Sequence, residues 1–353
     1  MLDDVDRLEC RRCGNAFPPA RRARCPHCAD GGALRFVYRT RRLAPFDRGT
    51  WARREPWLWR FRELLPFDDD LDPPPLQVGL TPLYGSPRLA AACGVRGLFV
   101  KDESRNPTGR IADRAAALLV AEALSSELPL ATGALGPSVA AFAASAQKPC
   151  VALLDADDDA NAIAAFGAAA LVLGKSLGRT ETLLRLCDDG FALADFPHPL
   201  ALEGLKTLGL ELGDQLAERL PDWIALDGAQ DGLVEAVQLG LAQCAELGLF
   251  RSPPQLLAAG GSDGGAQVSV READCAKLAD EARRALGLPI PPGGARALAA
   301  LQRGVRDGVV PADALALVVV EAPTAPQAKA LKRRRPLSDY VRLRAAAREA
   351  NHR

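Results

Sequence analysis

The sequence predicts an α/β protein: two units built on doubly wound parallel sheets, preceded by a small zinc ribbon. Three observations predict it. Between Leu98 and Leu216 short apolar strand runs alternate with helix-forming runs, the pattern of a parallel sheet whose strands are joined by crossover helices. At the front, Cys10-x-x-Cys13 and Cys25-x-x-Cys28, eleven residues apart, supply four thiolates at the spacing of a tetrahedral zinc site. The 353 residues, 48% hydrophobic and 25% charged, suffice for two or more units with sizeable cores.

Composition also excludes classes of function. No apolar run approaches the eighteen or so residues that span a bilayer, so no membrane role is expected. The start Met1-Leu2-Asp3-Asp4 does not read as a signal peptide, and a cytoplasmic location is expected. Nine cysteines, an odd number with four in two close pairs, point to metal and reduced thiols rather than a disulfide framework. Cys93, Cys150, Cys187, Cys244 and Cys275 are expected as core fillers. Net charge is zero, yet residues 1–60 hold fourteen Arg against seven acidic residues, and residues 329–353 hold nine Lys or Arg against two. Such asymmetry suits an anionic partner, although an Arg-rich surface is also ordinary.

Taken in order, residues 1–40 form the ribbon. Gly14 and Pro26-His27 suit the knuckle turns, His27 is expected exposed, and Leu34–Tyr38 alternates like a closing strand. Four sulfurs leave no position for substrate water, so the zinc is structural. Arg11, Arg12, Arg21, Arg22 and Arg24 keep nucleic acid open as a partner of the ribbon. Residues 41–75 read as a connecting segment, with a helix over Trp51–Leu65 and the Asp- and Pro-rich Asp68–Pro75.

Leu98-Phe99-Val100 is then a strand, followed by Lys101-Asp102-Glu103 and a turn at Asn106-Pro107-Thr108-Gly109. A helix follows, with Asp113 near its first turn and Ala115–Leu124 as strong helix formers. From Leu130 a strand leads through a glycine turn, Thr132-Gly133-Ala134, into a helix over Val139–Ala146. Next come a strand at Val151–Leu154, a helix at Ala160–Ala169, a strand at Ala170–Leu173 and helices at Thr180–Cys187 and Thr207–Leu216. A glycine-rich run, Gly228-Ala229-Gln230-Asp231-Gly232, and a buried strand ending at Glu321-Ala322 complete the pattern. Neither a nucleophile-His-Asp set nor a P-loop is visible, and of three histidines only His198 stands where a conventional base could serve.

The stretch Asn106-Pro107-Thr108-Gly109-Arg110-Ile111-Ala112-Asp113-Arg114 resembles the Asn-Pro-Thr-Gly-Ser-Phe-Lys-Asp-Arg turn of the threonine synthase family, fold-type-II enzymes that use pyridoxal phosphate (PLP). Further segments resemble the family across nearly the whole chain: Trp57-x-Trp59-Arg60, Gly79-Leu80-Thr81-Pro82-Leu83 and Glu203-Gly204-x-Lys206-Thr207. Ribbons of this kind precede the catalytic part in many members. The resemblance implies a tryptophan-synthase-β-like fold, with a large α/β unit at 76–112 and 205–328, a small one at 113–204 and a basic tail at 329–353.

The resemblance also implies where cofactor contacts would lie, and four of them have changed. The lysine that would carry the Schiff base stands at Ala112. Ala134 stands where an asparagine would bond the ring oxygen. Asp231 replaces a glycine of the phosphate cradle around Gly228 and Gly232, and Glu321 stands in place of the pyridine-nitrogen partner. Asn106, Thr108, Thr132 and Gly133 keep the motif. An aldimine needs a primary amine, so PLP is not expected to bind, and the chain is expected to be a pseudoenzyme with a binding, regulatory or partner-assembly role. An unidentified protein, a small anionic ligand or a second copy of the chain would be its partner. Two alternatives stay open: a PLP enzyme using Lys206 or Lys101, and a PLP-independent enzyme in the same cleft.

Overall fold

The computed structural model describes residues 4–322 apart from 21, 29–30, 44–45, 68–70, 156–157, 174–177 and 262–263. The basic segment 329–353 and residues 323–328 of the expected large unit therefore lie outside the described residues.

The ribbon is a three-stranded antiparallel sheet in which β1 (Val5–Cys10) lies between β2 (Ala16–Phe17) and β3 (Leu34–Tyr38). Val5, Leu8 and Cys10 are the buried residues of β1. The connecting segment is not the single helix over Trp51–Leu65 that the sequence suggested. It is α1 (Arg48–Ala52), capped by the Asp47 carboxylate on the Gly49 N–H at 2.8 Å, and a separate 3-10 run at Leu58–Leu64. Pro56 explains the break, because proline disfavours helical geometry at the residue before it.

The remaining elements follow in chain order: β4 (Leu83–Gly85), α2 (Pro87–Cys93), β5 (Gly97–Asp102), α3 (Ala112–Ala123), β6 (Leu130–Thr132), α4 (Gly136–Ser145), β7 (Cys150–Leu154) and α5 (Ala160–Ala164). Then come β8 (Ala169–Val172), α6 (Arg179–Asp188), β9 (Ala192–Leu193), α7 (Pro199–Leu216), β10 (Trp223–Asp227), α8 (Leu233–Glu246), β11 (Gln255–Ala259), β12 (Ala266–Val268), α9 (Glu272–Leu286), α10 (Arg296–Arg306) and β13 (Leu315–Val320). They build two sheets. The larger runs β12-β11-β10-β13-β5-β4, parallel except for β4, and the smaller runs β8-β7-β6-β9, all parallel. This is the α/β architecture expected from the alternation of strands and helices.

Two helices differ from expectation. α5 stops at Ala164 instead of Ala169, because Gly167 takes a left-handed φ of 77° and Ala169 already pairs in β8. α7 begins at Pro199, not Thr207: Pro199 fits its first turn and the His198 Nδ1 accepts from the Leu200 N–H at 3.1 Å. Almost every residue of α7 is buried, so the chain there has no polar stripe to mark a helix. Glycines set its neighbours. A Cβ on Gly204 would stand 2.3 Å from the Arg114 carbonyl of α3, and one on Gly209 2.4 Å from the Val237 carbonyl of α8. Backbone therefore meets backbone on both sides of α7, which sets α3 close on one side and α8 on the other.

Candidate functional site

The Asn106 to Arg114 stretch joins β5 to α3, and its shape is held by its own side chains. The Asp113 carboxylate accepts from the Thr108 N–H and hydroxyl, both at 2.6 Å, closing the turn across Gly109 (φ 73°). The Asn106 side chain accepts from the Gly79 N–H at 3.1 Å and donates to Glu103 at 2.7 Å. Ala112, half-buried, opens α3. Asp113 therefore ties down the turn rather than the free N–H groups of the helix.

Beneath the turn lies a buried charge cluster that the sequence did not announce. The Arg114 guanidinium forks onto Glu103 at 2.7 and 2.8 Å and reaches Glu211 at 2.8 Å, all three side chains fully buried. Glu211 also accepts from the Leu80 and Thr81 N–H groups at 2.8 Å and from the Lys101 ammonium. Two carboxylates face two cations, so the cluster is neutral. Burial pushes the Glu103 carboxyl up, and the Arg114 guanidinium more than offsets this, leaving it lowered to about 2. One signal in the sequence was Glu211 itself, a lone charge in the apolar Leu210 to Leu212 run.

Lys101 and Lys206 are accounted for within this interior. Lys101 Nζ donates to the Thr81 carbonyl at 2.6 Å, to Gln215 at 2.8 Å and to Glu211. Lys206 Nζ donates to the Leu64 carbonyl at 2.8 Å and to Glu203, and lies 4.0 Å from the Tyr38 ring centre. Tyr38, from the ribbon, donates its hydroxyl to the same Glu203 at 2.6 Å. His198, the remaining candidate base, caps α7 through Nδ1, and burial lowers it to about 4.

The glycine turn between β6 and α4 carries Thr132, Gly133 and Ala134, the last exposed. The Thr132 hydroxyl and the Gly133 and Leu135 N–H groups all donate to one carboxylate oxygen of Asp195. Sequence reasoning did not single out Asp195.

The loop between β10 and α8 holds Gly228 and Gly232 beside an exposed Asp231. Gly232, in left-handed geometry at φ 68°, is the N-cap of α8, and no side chain caps the helix. Gly228, Gln230, Asp231 and Gly232 line a cavity of about 430 Å³ together with Arg11, which the ribbon extends to pair with Glu235 of α8. Glu321, at the end of β13, accepts from the Ile111 N–H at 3.0 Å and bonds Gln230. Burial raises its carboxyl, the Ile111 N–H opposing. The Ala322 N–H donates to the Gly109 carbonyl at 3.1 Å. The end of β13 is thereby sewn to the turn that joins β5 to α3.

Cys10, Cys13, Cys25 and Cys28 gather with their sulfurs within 4.8 Å of one another. Cys10 to Cys28 and Cys13 to Cys25 are each 3.8 Å apart. A tetrahedron with Zn–S bonds of about 2.3 Å has edges of about 3.8 Å, so the four thiols fit zinc. His27 is exposed, stacks on Phe17 and stays outside the cluster. Cys93, Cys150, Cys244 and Cys275 are buried and Cys187 half-buried. A covalently held PLP fits less well: the methyl of Ala112 cannot form an aldimine, and the Glu321 carboxylate is already bonded within the chain. Among the described residues no helix is long and apolar enough to cross a membrane.

Comparison with known proteins agrees with this architecture. The chain is 34% identical to threonine synthase of Methanosarcina acetivorans over 211 residues, 57% of this chain and 52% of that one. It is 28% identical to threonine synthase of Methanocaldococcus jannaschii over 240 residues, 65% and 59% of the two chains. The chain thus spans between half and two thirds of these relatives. Serine racemase from Dictyostelium discoideum shares the fold with a TM-score of 0.57 at 17% identity, covering 69% of this chain and 92% of that one. O-ureido-L-serine synthase does so with a TM-score of 0.58 at 16% identity, covering 75% and 97%. Residues 75–258 match the family described as pyridoxal-phosphate dependent enzyme, and the chain, in sequence and in fold, belongs to that family.

Proposed function

We propose that this chain is a threonine-synthase-like pseudoenzyme, which has lost aldimine chemistry and acts as a binding, regulatory or partner-assembly protein. The observation that carries the reading is Ala112 at the head of α3, where the resembling motif has its lysine. Three further changes support it. Ala134 offers no donor to a ring oxygen, Asp231 places a carboxylate in the loop that would cradle a phosphate, and Glu321 spends its acceptor on Ile111. Lys101 and Lys206, the substitutes considered from the sequence, are fully buried and hydrogen-bonded, which argues against either as an anchor. The partner in this reading is a protein or a small anion, the compartment is the cytoplasm, and the units are 76–112 with 205–328 and 113–204.

The test is spectroscopic. Full-length protein mixed with PLP is expected to show the spectrum of the free aldehyde and no stable aldimine band. Borohydride reduction followed by peptide mapping is expected to leave Lys101 and Lys206 unlabelled. Stoichiometric labelling of either lysine, together with threonine formation from phosphohomoserine, overturns the proposal in favour of an active enzyme.

A further inference from the structure

The connecting segment forms a cavity of about 470 Å³, walled by the rings of Trp57, Trp59 and Phe67 and lined by four arginines against one acid, Glu55. We propose that this cavity binds a small aromatic phosphate, its ring against Trp57 and its phosphate on Arg60. Small-molecule sites run from about 300 to 1,000 Å³, so the space suits a ligand of that kind rather than a single ion. None of the lining residues belongs to the turns after β5, β6 or β10, so the site is separate from the loops that carry Ala112, Ala134 and Asp231. Trp57 gives the ring its place. It is half-buried, yet it packs against none of the hydrophobic clusters and makes no ring contact among the described residues. An indole left out of the core beside a cavity offers a flat face on which another ring can stack. Trp59, by contrast, is held edge-on to Phe67 at 5.3 Å.

Arg60 gives the phosphate its place. It is 8% exposed, and among the described residues its buried Nε has no hydrogen-bond partner, nor has the buried indole Nε1 of Trp59 beside it. A buried donor left open is destabilising until something accepts from it. The charge of Arg60 is open as well. The carboxylate it reaches, Asp214 at 3.8 Å, also pairs with Arg48 at 3.6 Å, so two guanidiniums share one carboxylate. Arg54 is spent on Glu63 at 2.8 Å and Arg53 on Asp47 at 3.3 Å. A guanidinium with donors and charge to spare is a strong partner for a phosphate. The acidic run Asp68–Asp70 stands in the sequence between Phe67 and Leu71, both of which line the cavity, and lies outside the described residues.

Phenyl phosphate is the probe, and the indole N–H signals of the chain's four tryptophans are the readout by NMR. In the full-length chain with isotope-labelled tryptophan, phenyl phosphate is expected to shift the Trp57 and Trp59 signals saturably and to leave Trp223 in place. Signals are assigned by their loss in Trp57→Ala and Trp59→Phe. Phenol and inorganic phosphate each hold one part of the ligand and are expected to bind about tenfold more weakly or worse. Trp57→Ala removes a side chain outside the core, so its melting temperature is expected to match wild type while phenyl phosphate binds about tenfold more weakly. Arg60→Gln is expected to weaken phenyl phosphate and inorganic phosphate alike; should it not fold, Trp57→Ala still decides. Unmoved Trp57 and Trp59 signals, or equal binding by wild type and Trp57→Ala, overturn the proposal. Phenol binding as tightly as phenyl phosphate, the result expected if the acidic run cancels the guanidiniums, overturns it too.

Discussion

The Glu321 carboxylate accepts a 3.0 Å hydrogen bond from the Ile111 N–H, the residue directly before Ala112. With the Ala322 to Gly109 bond it locks the turn from which a Schiff-base lysine would have to project. A single Ala112→Lys change is therefore expected not to restore tight PLP binding or threonine formation. Adding Asp231→Gly and Ala134→Asn is expected to improve PLP binding over Ala112→Lys by roughly 1–3 kcal/mol, from a regained hydrogen bond and a removed repulsion. In the proposed reading the three positions serve one cofactor, so the gains are not expected to add simply. PLP titration followed by absorbance across the single, double and triple variants measures this. A single variant binding as tightly as the triple would mean that Asp231 is no obstacle.

Arg114 compensates two buried carboxylates, Glu103 and Glu211. Arg114→Met is expected to destabilise the chain by about 3–5 kcal/mol in urea unfolding, because Glu103 and Glu211 are left without their shared cation. The acid response should change as well. In wild type the folded Glu103 sits at about 2, below the unfolded value of about 4.3, so its contribution is present above about pH 4.3 and is lost as pH falls toward 2. Without Arg114 the largest lowering influence on Glu103 is gone, and burial is opposed only by Lys101 and by the Thr81 and Asn106 hydrogen bonds, so its carboxyl is expected to lie higher than in wild type. The fall of the urea midpoint between pH 5 and 3 should therefore be shallower in the variant than in wild type; parallel slopes would contradict the assignment.

His198 supplies a second pH dependence. Its Nδ1 accepts from Leu200, which needs a neutral ring at the start of α7, and burial lowers it to about 4 from an unfolded value of about 6.5. The unfolded chain therefore takes up a proton first, and stability is expected to fall as pH drops from about 6.5 to 4 and to level off below. Asn caps helices without titrating, so His198→Asn should flatten this part of the profile. Thermal melts at half-unit pH steps report it, and an unchanged slope in the variant would exclude His198 as the source.

Elemental analysis of chain purified without chelator is expected to give about one zinc per molecule, with Cys13→Ser lowering retention after dialysis. Zinc removal is expected to lower the melting temperature of the whole chain and not of the ribbon alone, since Tyr38 bonds Glu203 in α7. A metal content near zero in such a preparation would refute the site.

Legibility followed the range of the interaction. The four cysteines fall within nineteen consecutive positions, and their spacing alone gave the metal cluster. β7 and β13 are continuous apolar runs buried on both faces, and such runs mark parallel strands. The first half of α7 was missed because a helix buried all round shows no stripe. The Arg114 cluster assembles Thr81, Lys101, Glu103 and Glu211, and only the fold brings Glu211 to Thr81 across 130 residues. Asp195 was hidden for the same reason. Its neighbours in sequence are ordinary, and its meaning lies in three donors on another strand's turn.

The ribbon's docking contacts carry a consequence for biosynthesis. Arg24 pairs with Asp188 of α6 and Tyr38 with Glu203 of α7, partners 164 and 165 residues further along the chain. The four cysteines emerge from the ribosome early and close together, so zinc can gather them while most of the chain is still unmade. Their module then waits, its docking face uncovered, until α6 and α7 have been synthesised; at about 5–20 residues per second that is on the order of ten seconds or more. A nascent chain stalled before α7 should therefore hold its metal and yet leave Tyr38 open to solvent.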